Sequence, residues 1–165
     1  MSADTTAFIR LIGSSFKSRL FLLTKLPSAF FSGVRIREMS EKRCTVTVPY
    51  KWFSQNPFRS TYFACLAMAG ELSTGALAMA HLYKRKPPVS MLVVNMQAEY
   101  YKKATGRTSF TCEDGDLFLH MIEEATATGE PTTVKAKSVG KNKDGEIVAT
   151  FFITWSFKAK HTGTS

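Results

Sequence analysis

The run from Ser60 to Tyr83 reads STYFACLAMAGELSTGALAMAHLY. Ala, Gly, Leu and Met occupy nearly every face of a helix wound through it, and Ser60 or Thr61 stands where a side-chain oxygen can cap its start. A surface helix shows one apolar stripe, whereas a helix apolar all round has to be enclosed by the rest of the fold. Length and hydropathy would also suit a membrane span. Glu71, Ser73, Thr74 and His81 interrupt it, however, and small residues outnumber the bulky apolar ones that lipid rewards. The reading adopted is a buried central helix over residues 60–83.

The sequence on either side is strand-forming. Gly33 to Met39 and Arg43 to Pro49 flank the polar turn Ser40-Glu41-Lys42, with Cys44, Val46 and Val48 on one face, which predicts a hairpin. Val89 to Tyr101 and Arg107 to Glu113, separated by Thr105-Gly106, predict a second. Thr132 to Val139 and Ile147 to Phe157, joined by Asn142-Lys143-Asp144-Gly145, predict a third. Between the last two pairs, Asp114 or Asp116 can cap a surface helix from Leu117 to Ala127. Its stripe is Leu117, Phe118, Met121, Ile122 and Ala125, and Gly129 ends it. Upstream, Phe8, Ile9, Ile12, Phe16, Leu20 and Leu23 recur at helical spacing until Pro27, so residues 1–27 form one or two amphipathic helices.

These elements give the order β-β-α-β-β-(α)-β-β, an α+β domain whose curved antiparallel sheet wraps around the central helix and leaves an edge in need of a partner. A chain of 165 residues suits one such domain, 1–165.

Composition narrows the function classes. The three cysteines, Cys44, Cys65 and Cys112, show no metal-binding spacing, which points to a reducing, cytoplasmic compartment and to no metal or other cofactor. Residues 1–26 interleave Arg10, Lys17, Arg19 and Lys25 with apolar residues, so no uninterrupted secretory core exists; the acid-poor composition is one that organelle transit peptides share. A net charge of +9 favours anionic partners. Apart from Lys84-Arg85-Lys86 and Tyr100-Tyr101-Lys102-Lys103 the basic residues are scattered, with no nucleic-acid motif, and read as a solvated face.

Glu71 is the only acidic residue between Glu41 and Glu99, in the middle of the buried helix. Burial raises a carboxyl pKa toward neutrality, which suits a general base or nucleophile; a basic partner would make it a structural ion pair instead. Asn56, before Pro57, is either a turn residue or an amide that donates to a substrate carbonyl or orients water. Backbone N–H groups around Thr61 to Ala64 lack intrahelical partners and can stabilise an oxyanion. His81 and His120 lie far along separate helices without an obvious carboxylate companion and His161 sits in a polar tail, so all three read as incidental, and Cys65 as a packing residue.

The run Asn56-Pro57-Phe58-Arg59-Ser60-Thr61-Tyr62-Phe63-Ala64, followed by Glu71, resembles the loop and central helix of the phenylacetate-degradation-type hotdog acyl-CoA thioesterases. Asn95 to Ala104 and the turn to Arg107 resemble that family's long strand, so the likeness spans roughly residues 30–158. It implies a hotdog fold and hydrolysis of an acyl thioester carried on coenzyme A or an acyl-carrier protein. Asn56, the Phe63 N–H and Glu71 take the catalytic places, flanked on the substrate side by Tyr62 and Ala64, with Ser90 or Thr74 assisting water. It implies a homodimer, or a dimer of dimers, with joined sheets and Glu71 of one copy facing the loop of the other. Lys84, Arg85, Lys86, Lys102 or Lys103 would meet the coenzyme phosphates. One departure is visible: the family's His-Gly-Gly at the helix start is Tyr62-Phe63-Ala64 here. A hydratase is disfavoured because Ser54-Gln55-Asn56-Pro57-Phe58-Arg59 lacks both titrating residues of the hydratase signature, and the remaining alternative is a non-catalytic acyl-binding hotdog.

Overall fold

Residues 3–160 are described in the computed structural model of the chain, and His161 lies outside them. Three helices open it: α1 (Ala3–Gly13), α2 (Ser15–Lys25) and α3 (Pro27–Phe31). Pro27 ends the long helical pattern as expected. It then occupies the first turn of α3, where a missing N–H removes no bond.

The strands are β1 (Arg35–Met39), β2 (Cys44–Val48), β3 (Val89–Tyr100), β4 (Thr108–Cys112), β5 (Thr132–Lys141) and β6 (Ile147–Ala159), and the longer helices are α4 (Phe63–Leu82) and α5 (Gly115–Thr128). One antiparallel six-stranded sheet runs in the order β1-β2-β4-β5-β6-β3 and curves around α4.

Two of the three expected hairpins form, β1–β2 and β5–β6. The β3–β4 hairpin does not. β3 pairs with β6 from Val89↔Ala159 to Tyr100↔Ala149, while β4 lies between β2 and β5. Length explains the choice, because a strand of 12 residues satisfies its backbone against the 13 of β6 and not against the five of β4. In addition, the N–H and Oγ1 of Thr61 both donate to the Ala104 carbonyl, at 2.8 and 3.0 Å, and so tie the β3–β4 link to the entrance of α4.

The expected caps also differ. α4 starts at Phe63 and no side chain caps it, because the Thr61 hydroxyl is committed to Ala104 and that of Ser60 to Asn56 Oδ1. Asp114 precedes α5, but its carboxylate accepts the Lys137 N–H of β5 at 2.6 Å and so pins the helix start to the sheet. Gly129 ends α5 in the left-handed region (φ +76°), as read from the sequence.

α4 is the core helix. Among the described residues it is the one helix long and apolar enough to cross a membrane, and 67% of that window is buried inside the fold. A Cβ on Gly70 would come within 2.9 Å of the Phe151 ring, so a glycine is what lets the helix lie on the sheet. A buried 2.7 Å hydrogen bond between Ser73 Oγ and Ser138 Oγ fixes its position along β5. α5 covers a further part of the core with Phe118, Ile122 and Ala125, leaving Leu117 exposed. β1 and β3 are the edges of the sheet, and on β3 Leu92 and Val94 are 66% and 52% exposed.

Candidate active site

The chain leaves β2 through a single 3₁₀ turn (Trp52–Ser54) into the loop that carries Asn56. Asn56 Oδ1 accepts the N–H groups of Phe58 (3.0 Å) and Ser60 (3.2 Å) and the Ser60 hydroxyl (3.2 Å). That oxygen therefore builds the loop, and the Nδ2 donor is the part of the amide left for a ligand. Arg59 sits at φ +59°, where a non-glycine residue is uncommon, and its N–H is held by the Asn56 carbonyl. Tyr62 N–H donates to Ser54 O at 2.7 Å, so the first helix donors without an intrahelical acceptor are those of Phe63 and Ala64.

Between this loop and the end of β3 lies a groove of about 700 Å³, lined on one side by Asn56, Phe58, Tyr62, Phe63 and Leu66 and on the other by Tyr100 to Ala104. Lys102 forms an ion pair with Glu146 on its rim, and Lys103 Nζ approaches the Phe58 carbonyl at 3.5 Å. Ala64, although adjacent, does not line it.

Glu71 lies two turns farther along α4 and is half-buried. A Cβ on Gly75 would stand 3.1 Å from Glu71 Oε1 and 3.2 Å from the Trp155 ring, so carboxylate and indole both crowd that glycine. Burial pushes the Glu71 carboxyl above its ordinary value. Glu71 shares a cavity of about 270 Å³ with Lys25, Pro27, Ala29 and Met68, yet no ion pair forms between it and Lys25. Trp155 Nε1 donates to Thr74 Oγ1 (2.9 Å), and Thr74 Oγ1 donates to the Glu71 carbonyl (2.9 Å). Thr74 is fully buried, so its hydroxyl ties the indole to the turn of α4 that carries Glu71 and does not reach an open face.

Within one copy, then, Asn56, Tyr62, Phe63, Lys102 and Lys103 share the groove, while Glu71 lines a neighbouring pocket and Thr74 is buried behind it on α4. Ser90 is exposed at the opposite end of β3, its hydroxyl bonded to Lys158 O, roughly 30 Å along the strand from Tyr100. Lys84, Arg85 and Lys86 border a different cavity of about 580 Å³, shared with Glu41, His81 and Glu123, at the far end of a helix roughly 30 Å long.

Trp155, Gly75 and Leu66 were not singled out by the sequence, and Tyr100 and Tyr101 stood out only as neighbours of Lys102 and Lys103. Trp155 reads there only as one apolar member of an alternating strand, and nothing in its spacing points to Glu71. Of the remaining titratable groups, His81 is buried with Nε2 3.0 Å from the Glu41 carbonyl, and desolvation lowers its pKa. Burial pushes the Cys44 thiol up to about 12 and raises that of Cys112, while Cys65 is buried beside Ser32. No group of three or more metal-ligating side chains is assembled among the described residues.

The family described as a domain of unknown function, DUF4442, matches residues 17–157. The chain belongs to that family. Among solved structures, this DUF4442 chain is similar to a Pseudomonas aeruginosa protein of unknown function described as a probable thioesterase (18% identity, 97% of this chain and 99% of that one, TM-score 0.72). It is also similar to a Haemophilus influenzae thioesterase (10% identity, 87% and 92%, TM-score 0.63). A third is a Staphylococcus aureus thioesterase solved as a variant with one Gln changed to Ala (15% identity, 78% and 95%, TM-score 0.60); the same protein was also solved with one Glu changed to Ala. No curated protein matches the DUF4442 sequence. Likeness at this level of identity shows the fold, and the fold is the hotdog.

Proposed function

We propose that this protein hydrolyses acyl thioesters carried on coenzyme A or an acyl-carrier protein, with Glu71 as general base or nucleophile. The observation that carries this reading is the carboxylate of Glu71, half-buried beside Gly75, raised in pKa by desolvation and in no ion pair among the described residues. Such a group can take a proton from water near neutral pH, or attack the acyl carbon directly. Either way the C–S bond breaks, the oxygen of water ends in the acid, and the thiol leaves protonated. Asn56 Nδ2 and the Phe63 N–H, at the positive end of α4, suit the thioester oxygen.

Because Glu71 and the Asn56 loop line separate cavities in one copy, the reading includes a homodimer. The unpaired edge of β3 joins two sheets and sets Glu71 of one copy against the loop of the other. In the two Staphylococcus aureus variants the changed Glu stands 15 residues after the changed Gln, and Glu71 stands at the same separation from Asn56.

Release of free thiol from a panel of acyl-coenzyme A esters tests the reading. Wild type is expected to turn over at least one ester, and Glu71→Gln to lose on the order of 100-fold or more. Absence of wild-type turnover across the panel would favour a non-catalytic acyl-binding hotdog. Two features support that second reading: Asn56 Oδ1 is committed to its own loop, and the Phe63 side chain, 57% exposed, stands where the related hydrolases have glycine.

A further inference from the structure

Neither the fold nor the proposed hydrolysis explains the outer face of α2. Its inner face is buried through Ser18 and Leu22, as one amphipathic stripe should be. A second apolar stripe runs along the other side at positions i, i+4 and i+7: Phe16, Leu20 and Leu23 are 77%, 50% and 41% exposed. With Phe30 they line a shallow groove of about 490 Å³. Ring contacts carry this apolar surface onward, from Phe30 to Phe31 (5.4 Å between centroids), Phe31 to Phe53 (6.2 Å) and Phe53 to Trp52 (4.9 Å). Phe31, Phe53 and Trp52 are all more than half exposed.

The charge this segment carries is of one sign. From Thr5 to Arg37 the sequence holds no Asp or Glu, but it holds Arg10, Lys17, Arg19, Lys25, Arg35 and Arg37. Lys17, Arg19 and Lys25 are exposed on α2 itself, and the Arg35 guanidinium lies 4.8 Å over the Phe30 ring. A helix with Phe and Leu outward, an aromatic neighbour and a purely cationic polar face has the chemistry of an interfacial helix. Its apolar side chains enter the headgroup boundary while Lys and Arg meet lipid phosphates.

We propose that α2, with the Phe31–Phe53–Trp52 cluster beside it, docks this protein on an anionic lipid bilayer. The occupant is fixed by complementarity: a neutral surface would satisfy the apolar stripe but leave the carboxylate-free basic run unused. Phe16, Lys17, Arg19 and Leu20 line neither the Asn56 groove nor the Glu71 cavity, so vesicle binding and thioester hydrolysis can fail separately.

The test is co-sedimentation of the full-length protein with vesicles of phosphatidylcholine alone and of phosphatidylcholine mixed with phosphatidylglycerol, at two salt concentrations. Binding is expected only to the mixed vesicles, weakening with salt. The paired change Phe16→Ser with Leu20→Ser, and separately Lys17→Ala with Arg19→Ala, is expected to reduce partitioning on the order of tenfold or more. All four side chains are exposed, so both variants should keep the wild-type circular dichroism and melting. The proposal is overturned by no binding to the mixed vesicles, by equal binding to neutral ones, or by undiminished binding of either paired variant. It is equally overturned if light scattering shows that the Phe16/Leu20 change lowers the oligomeric mass, which would assign this face to a second copy of the chain.

Discussion

Trp155 Nε1 donates a 2.9 Å hydrogen bond to Thr74 Oγ1, and this contact joins β6 to the turn of α4 that carries Glu71. Thr74 passes the connection on to the Glu71 carbonyl. Replacing Thr74 by Val keeps the shape and leaves the indole N–H buried without an acceptor, at a cost of about 1–3 kcal/mol. Urea unfolding should show that loss for Thr74→Val and little of it for Thr74→Ser, which keeps the hydroxyl.

Gly75 offers a way to move the carboxylate without removing it. An added methyl would stand 3.1 Å from Glu71 Oε1 and 3.2 Å from the Trp155 ring. Ala is the better helix former by up to about 1 kcal/mol, which offsets the crowding in the stability balance. Gly75→Ala is therefore expected to melt close to wild type while thioester turnover falls by about tenfold or more, since a shift under an ångström is enough to spoil a reacting geometry. Equal turnover would remove the Glu71 cavity from the mechanism.

The raised pKa of Glu71 has a definite sign in stability. Its carboxyl holds a proton to higher pH in the fold than in the unfolded chain, where the ordinary value is 4.5. Between those two values the native state binds more protons, so this contribution is fully present below the ordinary value and is lost as pH rises through the folded one. Glu71→Gln should then melt above wild type at about pH 8, with the difference vanishing at about pH 4. Turnover should run the opposite way, rising with pH to an inflection above the usual carboxylate range.

The sequence made some of this legible and hid the rest for physical reasons. The all-apolar run around Glu71 announced a buried helix because no surface helix tolerates it, and the alternation of Cys44, Val46 and Val48 announced a half-buried strand. Strand pairing was hidden. Val89–Tyr100 and Thr108–Cys112 look like a hairpin because they are adjacent, whereas pairing follows matched length and the Thr61–Ala104 tie. Caps were misread at Ser60 because its hydroxyl closes its own loop on Asn56, and at Thr61 and Asp114 because each oxygen found a tertiary partner, which local sequence does not encode. Glu71 and Asn56 stood out as chemistry. That they line different pockets of one copy, with the Trp155 ring and the Glu71 carboxylate both crowding Gly75, is a property of the packing alone.

The edge of β3 bears on that separation. Lysine on an exposed edge opposes strand addition, and Leu92 is 66% exposed there. Leu92→Lys is expected to leave a folded monomer by light scattering, with turnover lost although Asn56, Phe63 and Glu71 are intact.

The account stands most directly on whether one site draws on two copies. Glu71→Gln and Asn56→Ala should each be inactive alone; unfolded together and refolded at equal ratio, they should regain about a quarter of wild-type thioester turnover, because half the dimers then hold one complete site of two. Recovery at that level supports the shared site. Two inactive variants that stay inactive when mixed, while light scattering shows that mixed dimers have formed, would contradict it.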